Sequence, residues 1–80
     1  MLLQYIQSAM HGARYELLDE GEGFYGEIPD CQGVFANAST LEACREQLAE
    51  VLEDWIMLRL SRGLALPIIV GLELRIREVA

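Results

Sequence analysis

Nucleophiles and bases are scarce in this chain. His11 is its one histidine, so a His-based triad, a two-histidine metal site and a His–Cys pair are all absent. Near the end of an N-terminal helix, His11 reads as a surface residue favoured by the helix dipole. Ser39 has no base beside it and reads as a helix cap, not a nucleophile. Cys31 and Cys44 are the two cysteines. They form no CxxC pair and cannot supply a metal site alone. Cys44 reads as a small core residue on a helix. Cys31 falls in a turn, where an exposed thiol would lack the positive charge that activates one.

Carboxylates are plentiful. Glu16, Glu27, Asp30 and Glu73 lie on or beside expected strands, and several converging in one cleft would hold a divalent cation for phosphodiester cleavage. Glu27 and Glu73 alternate with apolar residues, which points them to solvent. A vestigial nuclease is therefore the third-ranked reading, in which changing Asp30 or Glu27 would abolish metal-dependent cleavage. No catalytic residue, cofactor-binding residue or metal ligand is expected, and the chain is read as not an enzyme. Gly21 and Gly23 sit among acids with no Lys and no helix start after them, so they mark a turn and not a phosphate cradle.

Two groups of residues point instead to binding. Glu42, Glu46, Glu50, Glu53 and Asp54 recur on the outward side of a long helix, with Arg45 as the basic neighbour. Glu46–Glu50 and Glu50–Asp54 are like-charge pairs one turn apart and mildly destabilising. A solvated face accounts for them. Alternatively Glu46, Glu50 and Asp54 form an acidic strip that attracts a basic partner. Tyr25 and Phe35 fall out of phase with Phe24, Ile28 and Val34, so they are expected on the sheet face opposite the long helix. Aromatics exposed there make a contact surface, unless the N-terminal helix covers them.

The elements that must position these residues follow from periodicity. Leu2, Leu3, Tyr5, Ile6, Ala9 and Met10 crowd a helix within residues 1–12, ended by Gly12. Three strands are expected within 13–38. Arg14 to Leu18 is the first, and Asp19 to Gly23 turns into the Phe24–Ile28 strand. Pro29 and Asp30 stop that strand, and pairing resumes from Val34. A long helix is expected over 39–63, with Ser39 and Glu42 spaced as a capping box and Gly63 at its end. Its apolar stripe is Leu41, Cys44, Leu48, Val51, Trp55 and Leu58, which covers one sheet face. Ala49, Leu52, Ile56 and Leu60 add a second row. With Met57 they make the last two turns apolar around most of their circumference, so Ile56, Met57 and Leu60 are expected to meet either the N-terminal helix or another subunit of a dimer or tetramer. Leu64 to Val70 is a linker, and Leu72, Leu74 and Ile76 define a last strand over 71–79. The fold class is α+β: a short N-terminal helix, then β-β-β-α-β, with one mainly antiparallel sheet covered by the long helix.

Eighty residues make one domain, 1–80, with so little core that oligomerisation would help to stabilise it. No apolar run approaches the ~20 residues of a membrane span, and MLLQYIQSAM lacks the basic region of a secretory signal. The chain reads as cytoplasmic. Its net charge is −7, with six arginines and no lysine, which disfavours phosphate backbones and anionic membranes and suits a basic protein partner.

One ordered series adds a family. Gly23-Phe24-Tyr25-x-Glu27-x-Pro29, a short turn ending in Gly33-Val34, and Thr40-Leu41-Glu42 opening a helix together resemble the HicB-like antitoxins. The resemblance runs from about Tyr15 to Trp55. It implies a fold related to a truncated ribonuclease H. It also implies that the protein binds and masks a small, basic HicA-type mRNA-cleaving toxin, performing no chemistry itself. Many family members add a C-terminal DNA-binding module. Here the last expected strand reaches the end of the sequence, so no direct DNA binding is expected. The runner-up is an orphan homo-oligomeric protein-binding module with no toxin partner.

Overall fold

A computed structural model describes residues 2–69 of the chain. In chain order these form α1 (Leu2–His11), β1 (Arg14–Leu17), β2 (Phe24–Glu27), β3 (Phe35–Ala38) and α2 (Leu41–Ser61). The fold is α+β, as the periodicities predict. The expected last strand over 71–79 lies outside the described residues. Among the described residues the sheet order is β1-β2-β3, with both pairings antiparallel.

Two short connections fix the strand register. Between β1 and β2 the chain turns through left-handed backbone at Glu20 and Gly21, and the Leu18 amide donates to the Gly23 carbonyl at 2.8 Å. Gly23 is itself required. Its φ is +90°, and a Cβ there would strike the Ala38 carbonyl oxygen. Between β2 and β3 the amides of Cys31 and Val34 donate to the carbonyls of Ile28 (2.9 Å) and Cys31 (3.0 Å). These tight turns fold Cys31 inward until none of it is exposed. The thiol is thus a core group and not the exposed one a turn position suggests, and burial raises its pKa.

Where α2 crosses β2 and β3, the helix-facing side of the sheet carries small residues. Gly26 and Ala36 stand opposite each other on β2 and β3, both buried. A Cβ on Gly26 would come within 2.9 Å of Tyr15 Cδ1 and 3.1 Å of Cys44 Sγ. The missing side chain therefore lets the Tyr15 ring lie across the strand and α2 approach closely, a cross-strand use of glycine that aromatic neighbours often accompany.

The start and core register of α2 differ from the expectation. The N-cap is Thr40, whose Oγ1 accepts from the Ala43 amide at 3.1 Å; the box drawn between Ser39 and Glu42 begins one residue too early. The buried residues are Cys44, Leu48, Leu52 and Ile56. Leu41 and Leu58, the ends of the predicted stripe, are exposed, while Val51 and Trp55 are only partly buried against the core. The reason is geometric. Twenty-one helical residues reach about 31 Å, whereas four-residue strands reach about 13 Å. The second half of α2 overhangs the sheet and is packed by α1 and by residues 64–69 instead. Those neighbours lie to one side, so the buried line rotates from Val51 and Trp55 toward Leu52 and Ile56.

Three contacts hold this second half together. The Tyr5 hydroxyl donates to the Pro67 carbonyl at 2.7 Å. Arg59 donates from Nε and Nη2 to the Ala65 carbonyl at 3.0 and 2.8 Å, with its guanidinium 4.9 Å over the Trp55 ring. Ile69, 4% exposed, completes the core. Ile56, expected at an oligomer interface, is 1% exposed, so it belongs to this chain's own core and offers no surface to a neighbour. Met57 and Leu60 remain 59% and 50% exposed.

Candidate functional site

Strand alternation puts the opposite face of the sheet in contact with neither helix. Directly paired residues share a face, so two rows cross it: Arg14–Glu27–Phe35 and Glu16–Tyr25–Asn37. α1 packs beside α2 and leaves Phe35 56% exposed. Covering of these aromatics by the N-terminal helix, the alternative the sequence leaves open, is thereby excluded.

Tyr25 and Phe35 form a diagonal pair, with ring centroids 6.2 Å apart and planes inclined by 27°. The Tyr25 hydroxyl donates to Glu27 Oε1 at 3.2 Å. Desolvation, the Glu27 hydrogen bond and the charges of Glu27 and Glu16 all raise the Tyr25 pKa. Asn37 Nδ2 donates to the Phe24 carbonyl at 2.7 Å, which ties the β3 side of the face down. Beyond the ring pair, a hollow of about 230 Å³ opens toward the β2–β3 turn, lined by Tyr25, Glu27, Pro29, Gln32, Gly33 and Phe35. Stacked rings beside carboxylates offer apolar contact, π-faces and negative charge together.

The other predicted binding residues lie elsewhere. Glu46, Glu50 and Asp54 are exposed on the outward side of α2, across the domain from Tyr25 and Phe35, so the two predicted surfaces do not converge. Glu42, Arg45 and Glu46 instead form one wall of an open groove, with Ile6, Met10 and His11 of α1 on the other. At the overhanging end, Met57, Leu58, Leu60, Leu64 and Ile68 are exposed.

Sequence reasoning assigns Glu16 and Glu27 to solvent as scattered surface acids. It misses that the register gathers them beside Tyr25. Among the described residues, no three His, Cys, Asp or Glu side chains lie close enough together to hold a metal ion, and no described helix is long and apolar enough to cross a membrane.

Comparison with known proteins agrees with this architecture. A sequence model described as UPF0150-like matches residues 4–67. No curated protein matches the chain. Among solved structures, the crystal structure of TTHA0281 from Thermus thermophilus is similar, with 46% sequence identity and a TM-score of 0.81 over 85% of this chain and 84% of that one.

Proposed function

This chain belongs to the UPF0150-like family, and we propose that it is a HicB-like antitoxin that binds and masks a small basic HicA-type mRNA-cleaving toxin in the cytoplasm, doing no chemistry itself. The observation that carries this reading is the outer sheet face, where an exposed Phe35 stacks on a half-buried Tyr25 beside Glu27. Exposed aromatics at the centre of a patch are the residues that dominate protein–protein affinity. The net charge of −7 selects a basic partner and repels the RNA that such a partner would cleave. Occupying a toxin's RNA-binding surface with an acidic face is inhibition by competition, and it needs no catalytic group.

The test is co-purification of the tagged protein from its host. A small basic protein recovered in near-equal amount, whose RNA cleavage stops when this chain is added back, is the expected result. Recovery of this chain alone as a defined oligomer would replace the antitoxin with a homo-oligomeric module. Met57, Leu60 and Leu64, exposed at the overhanging end of α2, would then be the interface to map.

A further inference from the structure

We infer that the outer sheet face is an arginine-recognition site, in which a guanidinium from a basic protein partner lies on the Tyr25–Phe35 rings and pairs with Glu27 and Glu16. This deepens the partner-binding reading and rests on it. Its grounds are the geometry and charge of the face. The two stacked rings, with centroids 6.2 Å apart and planes inclined by 27°, bring π-surface to the face on which a planar cation can lie; guanidinium stacks on such surfaces better than ammonium does.

Negative charge is already aimed at that spot. Glu27 sits directly opposite Phe35, and Glu16 directly opposite Tyr25. The Tyr25 hydroxyl occupies one oxygen of Glu27; among the described residues the other has no hydrogen-bond partner, so it can accept from an incoming N–H. The adjoining hollow of about 230 Å³ between the rings and the β2–β3 turn has room for the aliphatic stem of a long side chain. The resident base on these rows is Arg14, opposite Glu27 on β1, and its positive charge opposes an incoming cation. A negatively charged ligand would meet Glu16 and Glu27 and be repelled, and an apolar one would desolvate both carboxylates without giving either a new partner.

The discriminating experiment titrates the whole protein with short peptides of alternating arginine and glycine, and with their lysine counterparts, followed by backbone NMR shifts. The arginine peptide is expected to bind roughly tenfold more tightly than the lysine peptide, with the largest shifts at Tyr25, Glu27 and Phe35. Phe35→Ala, at a half-exposed position that leaves the core untouched, is expected to remove most of that preference while circular dichroism stays native. Arg14→Gln is expected to tighten arginine binding about threefold by removing that positive charge. Equal binding of the two peptides, or shifts centred on Glu46, Glu50 and Asp54, would overturn the inference. An arginine-selective face with no basic toxin recovered from the host would leave the inference standing and sink the antitoxin reading. A toxin bound equally well by Phe35→Ala would do the reverse.

Discussion

Replacing Ile56 and Met57 separately by alanine tests the register of α2, because the two neighbours sit about 100° apart on the helix and differ in exposure from 1% to 59%. Ile56→Ala removes carbons worth about 2.4 kcal/mol in transfer alone. Ile56 belongs to a core cluster with other fully buried side chains, Leu52 and Leu48 among them, so the site cannot collapse readily and a cavity term adds to this. The expected cost is about 3–4 kcal/mol, within the range for such truncations. A domain of this length holds roughly 4–12 kcal/mol in total, and each kcal/mol lowers its Tm by about 4–8 °C. Thermal and urea denaturation should therefore show Ile56→Ala melting at least ten degrees early, on the order of its share of total stability, while Met57→Ala stays within about 0.5 kcal/mol of wild type. Equal destabilisation by the two would refute the register. A native Tm for Ile56→Ala with a changed elution volume would return Ile56 to a subunit interface.

Three further outcomes follow from named contacts. Gly26→Ala should destabilise by about 1–3 kcal/mol although alanine is the better strand residue, because its Cβ would overlap Tyr15 Cδ1 and crowd the fully buried Cys44 Sγ; a wild-type urea midpoint would show that α2 does not approach β2 so closely. Tyr5 has its pKa pushed up to about 12, first by burial and then by Cys31 and Asp30. A pKa raised by folding means that the native state holds the proton more tightly, so this stability is present below about pH 10 and is lost as pH rises from there toward 12. Absorbance titration should show a late tyrosine that Tyr5→Phe removes; if the same late wave persists in the variant, the assignment fails. Reversing Glu46, Glu50 and Asp54 to Lys adds two charges at each position and takes the net charge from −7 to −1. Folding should survive, since all three are exposed, while association with a basic partner slows and loses salt dependence. Unchanged association rates would reduce the strip to a solvated surface.

The elements were legible in the sequence because each carries its own local signal. Alternation of Phe24, Gly26 and Ile28 against Tyr25 and Glu27 gives β2 its two faces, and Gly63 follows the end of α2 in both readings. What local signals cannot give is the environment a helix meets along its length. A stripe through Val51 and Trp55 is the right choice for a helix lying on a sheet from end to end. It is wrong here because β1, β2 and β3 are short and α2 outruns them, so that α1 and residues 64–69 set the buried side of its last turns. The lengths of the strands were needed to see this, and strand ends are where sequence patterns are least sharp.

The outer face shows the same division more sharply. Period two places Tyr25 and Phe35 on one side from the sequence alone, since each needs only its own strand's phase. Bringing Glu16 and Glu27 beside them requires the pairing register, and that is fixed by turns whose geometry hangs on single residues. Gly23 closes on the Ala38 carbonyl, and the Ile28–Val34 turn folds Cys31 inward. A slip of one residue in either hairpin would carry the strand's acids to the other side of the sheet. The proposed site thus depends on backbone turns distant in sequence from some of its side chains. Gly23→Ala should accordingly disturb the Tyr25–Phe35 surface even though Gly23 touches neither ring.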